Sequence, residues 1–484
     1  MNVITIISDT LRRDHLGCYG NDWISTPYLD AFAQRSLIFD RAYCASFPTV
    51  PHRRDLLTGC FTFTYTAWSP LSDDEVVLAE VLGEQGYLSM MVNDCPHILE
   101  NGYHFDRGFD GFEWIRGQES DRWRTSPLEI EHRCDPAKIR HGTHILHHRR
   151  NISNWQYESD TFAARTMSEA SRWLERNYKA DNFFLYVDTF DPHEPWDAPQ
   201  WYVDMYDPGY TGEVVDYPLY AYCDFLSKEE LNHCRALYAA EVTLVDRWVG
   251  MLLQKIEDLG LLSNTLIIFT ADHGFLLGEH NIMGKAFIDP DAFHYCPLYD
   301  EINHIPLIMW VPGGQPRRSQ AIVQPPDLMP TILELTGVDY PGDMHGKSFA
   351  PVVQGKTDAC RSFAVSSPAI IGGGSGDACT TIVKDQWAGV LSGKPIPIAG
   401  GDKAVDGVSK SYKPARPKAT IEKIKAYKSD QRSTEDLLFD LSHDPTQQHD
   451  IKAQHPGILA QMREDYVTFL EEVGTKKELI DPWR

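Results

Sequence analysis

The stretch ASFPTVPHRRDLLTG, residues 45–59, places a hydroxyl and two cations where a helix is expected to begin. Pro51 suits the first turn of a helix and Gly59 suits the position just past its end. Thr49 is therefore expected just ahead of the helix, where unpaired N–H groups and the Arg53 charge favour an anion. With a metal ion to activate it, the Thr49 hydroxyl could attack phosphorus or sulfur. Taken alone, the string favours a threonine cap beside two solvated arginines over a nucleophile.

Three further residues change that balance. Asp9, Asp272 and His273 lie far apart in the sequence, yet each follows a short apolar run. Two carboxylates with one imidazole suit a divalent ion, and Thr49 could complete its coordination shell. We expect one such ion, with Ca²⁺ or Mn²⁺ preferred and Mg²⁺ or Zn²⁺ left open.

The elements that must position these residues form an alternating pattern. The runs NVITIISD, YLSMMVND, NFFLYVDTFD and NTLIIFTAD have the continuous apolar character of strands buried on both faces of a parallel sheet. Segments with helical periodicity separate them, as in TFAARTMSEASRWLERN. This order predicts an α/β fold with a doubly wound, mostly parallel sheet, whose strand ends carry the polar residues to one edge.

A second, smaller domain is expected after residue 365. There the sequence changes to short strand-like pieces, a Lys-rich loop over residues 410–428, a further strand in EDLLFDLSHDP and a terminal amphipathic helix. We therefore predict a catalytic domain over 1–365 and a small α+β domain, with a short antiparallel sheet, over 366–484. The His- and Arg-rich segment 116–150 is either a lid that recognises an anionic substrate or a solvated insertion.

Composition excludes several classes of function. The net charge of −24 opposes binding to nucleic acid or to an anionic membrane surface. Ten scattered cysteines without a CxxC pair favour reduced thiols, and no apolar run approaches the length of a membrane span. We expect a cytoplasmic protein that acts on a small anionic ester, with a homo-oligomer left open.

Several motifs together resemble the sulfatase family within the alkaline phosphatase superfamily. They include NVITIISDTLRRDHLGCYG, TVPHRRDLLTG, FLYVDTFDPHEP, NTLIIFTADHGFLLGEH and IPLIMWVPG, in the family order over most of the chain. The resemblance implies an alkaline phosphatase-like fold and a metal held by Asp9, Asp272 and His273. It also implies that Arg53 contacts the nucleophile and the anion, while Lys285 and His193 hold the anion or the leaving group. His97 falls near a Lys and His pair of the family.

Departures from the family pattern bear on the chemistry. The first residue of the family's CxPxR or SxPxR motif is oxidised to formylglycine, whereas here it is Thr49, which that oxidation does not accept. No formylglycine is expected. The paired aspartates after the first strand appear as Asp9 and Thr10, so the metal has one carboxylate fewer. The spacing also resembles the superfamily's nucleotide pyrophosphatase/phosphodiesterase branch, in which a threonine precedes FPN.

Threonine favours phosphorus over sulfur as the attacked atom. A formylglycine hydrate can release sulfate by breaking its own carbon–oxygen bond, and a threonine sulfate ester cannot. We therefore predict a phosphodiester or phosphonate monoester hydrolase, in which Thr49 attacks and Arg53 and Lys285 stabilise the equatorial oxygens. His193 or His97 would protonate the leaving oxygen. The alternatives are a sulfuric ester hydrolase, a non-catalytic anion-binding relic and a phosphoryl transferase.

Overall fold

Four apolar runs identified in the sequence form neighbouring parallel strands of the central sheet. The structure is a computed structural model that describes residues 1–126, 131–140, 142–288, 293–340, 342–371, 379–393 and 435–484. Its large sheet has the strand order β14-β2-β13-β8-β1-β6-β4-β5, in which β13 alone runs antiparallel to its neighbours. These strands are β1 (Asn2–Ser8), β2 (Leu37–Ala42), β4 (Leu88–Asn93), β5 (Gly111–Trp114), β6 (Phe183–Thr189), β8 (Thr265–Ala271), β13 (Leu307–Trp310) and β14 (Arg317–Val323).

Helices pack on both faces of this sheet because its central strands are apolar on both sides. In β1, Val3 and Ile7 belong to one buried cluster, whereas Ile4 and Ile6 belong to the cluster on the opposite face. The helices are α1 (Pro27–Ala33), α2 (Thr49–Thr58), α3 (Leu78–Glu84), α4 (Gly142–Ile152), α5 (Phe162–Asn177), α6 (Gln200–Val203), α7 (Lys228–Asp258), α8 (Asp300–Asn303), α9 (Leu328–Thr336), α10 (Ala350–Val353), α11 (Pro456–Glu472) and α12 (Lys477–Ile480). The predicted α/β class is thus confirmed.

Two smaller sheets are formed by residues between 221 and 295. One has three strands in the order β7-β10-β9, and the other is a two-stranded hairpin. Their strands are β7 (Ala221–Tyr222), β9 (Leu276–Leu277), β10 (Ile282–Gly284), β11 (Ala286–Ile288) and β12 (Phe293–Tyr295). The hairpin begins one residue after Lys285, so these short strands position that lysine.

The C-terminal sheet has five strands in the order β18-β17-β16-β15-β3. Its strands are β3 (Ser46–Phe47), β15 (Ala364–Pro368), β16 (Cys379–Lys384), β17 (Trp387–Ser392) and β18 (Leu437–Asp440). Strand β15 crosses the predicted boundary at residue 365, and β3 pairs with it in parallel. The chain just before Thr49 is therefore attached to the small sheet, which ties the two parts of the molecule together beside the nucleophile candidate.

Three further predictions concern the Lys-rich loop, the cysteines and the absence of a membrane span. The Lys-rich loop at 410–428 lies outside the described residues. Within the described residues, no disulfide joins the cysteines, and no helix combines the length and apolarity that crossing a membrane requires.

Candidate active site

The carboxyl ends of β1 and β8 bring the predicted metal ligands together. Ser8 lies opposite Ala271 in the parallel register, so Asp9 and Asp272 leave the sheet at the same level. The ligand atoms of Asp9, Asp272 and His273 lie within 4.8 Å of one another, and all three residues are buried. Burial and the neighbouring Asp272 raise the pKa of Asp9 well above its usual range. For Asp272, the positive charges of Arg53 and Lys285 outweigh the effect of burial and hold the pKa well below its usual range.

Thr10 occupies the position of the second aspartate in the family pattern and links the members of this cluster. Its N–H donates to Asp272 Oδ1 over 2.8 Å, and its hydroxyl donates to Asp9 Oδ1 over 2.7 Å. Lys285 Nζ in turn donates to the Thr10 hydroxyl over 3.3 Å. The backbone of Thr10 has φ 61°, which is uncommon for a β-branched residue. Thr10 therefore orders the carboxylates where the family pattern has a further charge.

Arg53 is fully buried and bridges three carboxylates. Its Nε and Nη2 donate to Asp188 over 2.8 and 2.7 Å, and its Nη1 donates to Asp272 over 2.8 Å. Nη1 also lies 3.1 Å from Asp9 Oδ2 and donates to the backbone carbonyl of Thr49 over 3.2 Å. The observed contacts of Arg53 are thus with carboxylates and with the Thr49 backbone. Asp188, which sequence reasoning noted only as a polar strand ending, is its main partner.

Thr49 is the first residue of α2, one position further into the helix than expected. The residue is buried. Two residues earlier, the Phe47 ring packs against His273 with 4.9 Å between ring centroids. Gly59 ends the helix with φ 69°, as predicted. Arg53 and Phe47 therefore connect the N-terminal turn of α2 to the carboxylate cluster.

The donor set fits a divalent cation. Asp9 Oδ2 is buried and accepts no hydrogen bond within the described residues. Asp9, Asp188 and Asp272 carry three negative charges when ionised, against two positive charges on Arg53 and Lys285, so one negative charge is left over.

His273 is also arranged as a ligand. Its Nδ1 lies 3.0 Å from the Gly274 carbonyl, which assigns the ring proton to Nδ1 and leaves the lone pair on Nε2. Burial lowers the pKa of His273 to about 3, so the imidazole is neutral. A neutral imidazole beside two carboxylates suits Ca²⁺, Mn²⁺, Mg²⁺ or Zn²⁺.

Lys285 reaches this edge from the three-stranded sheet. Its Nζ lies 3.2 Å from His273 Nε2, and burial lowers its pKa. The preceding residue, Gly284, has φ 111°, and a Cβ at that position would lie 2.6 Å from the Tyr220 ring. Only glycine fits this position without strain. The lysine therefore depends on a local backbone conformation that its own side chain does not dictate.

The two predicted leaving-group histidines differ in environment. His193 is buried, its Nδ1 lies 2.6 Å from the Glu194 carbonyl, and its ring stacks on Phe190 with 4.0 Å between centroids. Burial and Lys285 lower the pKa of His193 well below its usual range. The side chain of His97 is 22% exposed, and its Nε2 lies 3.1 Å from Glu119 Oε2.

Sequence reasoning missed a network next to these histidines. Arg140 Nη2 lies 2.7 Å from Glu119 Oε1 and 2.8 Å from Glu194 Oε1. Tyr217 donates to Glu119, and Tyr220 donates to Glu194, each over 2.6 Å. Glu119 and Arg140 both come from the segment 116–150, which therefore supplies buried residues to the wall of the site. In the sequence, only its His- and Arg-rich composition singled that segment out.

In sequence, this chain is similar to known sulfatases. A family model described as Sulfatase matches residues 1–338. An ulvan-active sulfatase of Formosa agariphila is 27% identical over 384 residues, which cover 77% of this chain and 69% of that protein. An arylsulfatase of Clostridium perfringens is 24% identical over 410 residues, which cover 75% of this chain and 80% of that protein.

Solved structures share the fold over almost the entire chain. The phosphonate monoester hydrolase of Agrobacterium radiobacter superposes with a TM-score of 0.71 at 19% identity, covering 98% of this chain and 96% of that one. The phosphonate monoester hydrolase of Silicibacter pomeroyi gives 0.69 at 22% identity with the same coverage.

Proposed function

Because the chain belongs to the sulfatase family and is therefore an ester hydrolase, we propose that it hydrolyses a phosphodiester or phosphonate monoester with Thr49 as the covalent nucleophile. One observation carries the proposal: the residue at the nucleophile position of the family motif is an unmodified threonine. Thr49 is buried at the first position of α2. Its backbone carbonyl accepts from the same Arg53 nitrogen that contacts Asp9 and Asp272.

The nature of the nucleophile favours phosphorus. A hydrated formylglycine can expel sulfate by cleaving its own carbon–oxygen bond, so water need not attack sulfur. A threonine ester has no such exit, and water must attack the central atom of the covalent intermediate. Phosphorus accepts that attack more readily than sulfur, so a phosphothreonine intermediate turns over.

The surrounding residues would divide the remaining work. Asp9, Asp272 and His273 would hold one divalent ion, Ca²⁺ or Mn²⁺ ahead of Mg²⁺ or Zn²⁺, which when bound supplies positive charge to the attacked ester. Lys285 and His193 would hold the non-bridging oxygens of a small anionic ester, which a chain of net charge −24 attracts only through such local groups.

The reaction runs in two balanced steps. In the first, the Thr49 oxygen bonds to phosphorus and loses its proton to solvent, while the bond to the leaving oxygen breaks and that oxygen departs as an alcohol. In the second, water attacks the phosphothreonine, the Thr49 oxygen leaves and regains a proton, and the acid product is released. The net change is the consumption of one water molecule.

A sulfate ester is the second candidate substrate class. It is favoured by the curated relatives, which include an ulvan-active sulfatase and an arylsulfatase. For this chain it would require water to attack sulfur directly.

Matched nitrophenyl esters distinguish these possibilities. Bis(4-nitrophenyl) phosphate, 4-nitrophenyl phenylphosphonate, 4-nitrophenyl phosphate and 4-nitrophenyl sulfate are assayed with each of the four metals. We expect the diester or the phosphonate to be the best substrate. Thr49→Ala should lose at least about three orders of magnitude in kcat, as removal of a covalent nucleophile does. Thr58→Ala, at the other end of the same helix, is the matched control.

Three results would count against the proposal. Near-normal turnover by Thr49→Ala rejects Thr49 as the nucleophile, and a clear preference for the sulfate ester favours the second candidate. Absence of turnover with every metal, in a folded protein, favours the binding relic. Mass spectrometry of quenched reactions tests for phosphate on Thr49, and product analysis with added alcohols detects a transferase.

A further inference from the structure

The two histidines at the leaving-group side differ in exposure and in the group that lies nearest to the ring, and these differences assign their roles. His193 is buried, and its Nδ1 lies 2.6 Å from the Glu194 backbone carbonyl, which keeps the ring proton on Nδ1 and leaves Nε2 as an acceptor. The Glu194 carboxylate is farther away, with Oε2 3.4 Å from the same nitrogen. His97 Nε2 faces the carboxylate of Glu119 at 3.1 Å. A carboxylate stabilises the protonated form of an imidazole beside it, whereas a backbone carbonyl mainly orients the neutral form.

Glu119 is held firmly in that position. Its Oε1 accepts from Arg140 Nη2 over 2.7 Å and from the Tyr217 hydroxyl over 2.6 Å, which leaves Oε2 for His97. Its backbone has φ 40°, and its N–H donates to His148 Nδ1 over 3.2 Å. The side chain is almost fully buried, and His97 and Arg140 outweigh burial to hold the pKa of Glu119 well below its usual range. Glu119 therefore stays a carboxylate.

His97, in contrast, keeps one edge of its ring available. Its Nδ1 makes no hydrogen bond within the described residues, and 22% of the side chain is exposed. The ring packs between Trp68 and Phe190, with centroid distances of 5.4 and 5.5 Å. Phe190 also stacks on His193, so the two histidines flank the same aromatic ring.

On this basis, and resting on the proposed function, we propose that Glu119 is a positioning residue that holds His97 as the acid of the first step, while His193 only binds the anion. The protonated His97 gives its Nδ1 proton to the leaving oxygen as the bond from phosphorus to that oxygen breaks. The bonding electron pair stays with that oxygen, which departs as an alcohol. In the second step the attacking water returns a proton to His97.

Leaving-group dependence tests this assignment, because a nitrophenolate departs without protonation and an alkoxide does not. The wild type and its variants are assayed on a nitrophenyl ester and a methyl ester of the same acid. Glu119→Gln should reduce kcat for the methyl ester by about a hundredfold or more, and for the nitrophenyl ester by less than about tenfold, with KM little changed. His97→Gln should show the same selectivity more strongly.

Three further variants separate positioning from a structural effect. The double variant Glu119→Gln/His97→Gln should be no slower than His97→Gln, because the two residues act as one unit. His193→Gln should slow both esters by a similar factor and raise KM. Glu158→Gln is the control, because it removes a carboxylate that lies 2.9 Å from the exposed Arg247 and takes no part in the site. It should leave both activities unchanged.

The outcomes are distinct. A wild type that hydrolyses none of the esters rejects the proposed function and this inference together. An active wild type in which Glu119→Gln slows both esters equally, or in which His193→Gln shows the leaving-group selectivity, overturns the inference alone. If Glu119→Gln does not fold, Tyr217→Phe takes its place, because it removes one donor to Glu119 at constant size. It should slow the methyl ester more than the nitrophenyl ester. If it slows the two esters by the same factor, the assignment is overturned.

Discussion

Replacing Thr10 by aspartate tests whether residue 10 faces the metal site. The Thr10 hydroxyl donates to Asp9 over 2.7 Å and accepts from Lys285 over 3.3 Å. An ionised aspartate cannot donate, so a hydrogen bond to a charged group, worth roughly 1.5–3 kcal/mol, is lost. The backbone does not oppose the change, because Asp enters the region around φ 61° more readily than Thr does.

The charges determine the sign of the effect on metal binding. At about 4 Å and an effective dielectric constant of about 20, the new carboxylate is repelled by Asp9 by about 4 kcal/mol, and attraction to Lys285 at a similar distance offsets this. Without metal, the free energy of unfolding should therefore fall by about 2 kcal/mol, the lost hydrogen bond. A divalent ion attracts the added carboxylate, so metal affinity should rise by about tenfold or more.

Titration calorimetry with Mn²⁺ and Ca²⁺ measures the affinity, and denaturant unfolding in a chelator measures the loss of stability. Thr10→Asn is the matched control, because it adopts the same backbone conformation, can donate to Asp9 and carries no charge. Its affinity should stay within about threefold of the wild type. Equal metal affinity for Thr10→Asp and Thr10→Asn would show that residue 10 does not face the ion, and the account of this edge would then be wrong.

Three other predictions follow from buried groups. Arg53→Lys should lower the free energy of unfolding by about 3–5 kcal/mol. An ammonium cannot make the bidentate contact with Asp188 and also contact the other two carboxylates. An unchanged unfolding midpoint would contradict this prediction. Gly284→Ala should cost about 1–3 kcal/mol and reduce kcat, because the added Cβ would lie 2.6 Å from the Tyr220 ring; wild-type stability and activity would show that the backbone adapts. Burial raises the pKa of Glu301 from 4.5 to about 8, so wild-type stability should fall as pH rises between these values. Glu301→Gln should flatten that part of the stability profile, and parallel profiles for the two proteins would refute the assignment.

The four central strands of the large sheet could be predicted because they are continuous apolar runs. The predicted strands before Asp9, Asp94 and Asp272, and the one that contains Asp188, are all observed as central parallel strands. The attachment of β3 to the C-terminal sheet could not be predicted, since β3 pairs with a strand more than 300 positions later in the chain. A two-residue strand carries no pattern of its own.

The site itself divides in the same way. The sequence by itself determined which residue types stand at the strand ends, including an unmodified threonine at the nucleophile position, because these follow local patterns of apolar runs and turns. Only the tertiary structure decided which carboxylates Arg53 bridges, that Thr10 links Asp9 to Lys285, and that Glu119 faces His97. Those contacts join side chains from distant segments, and the direction of a buried side chain depends on neighbours that no local pattern specifies.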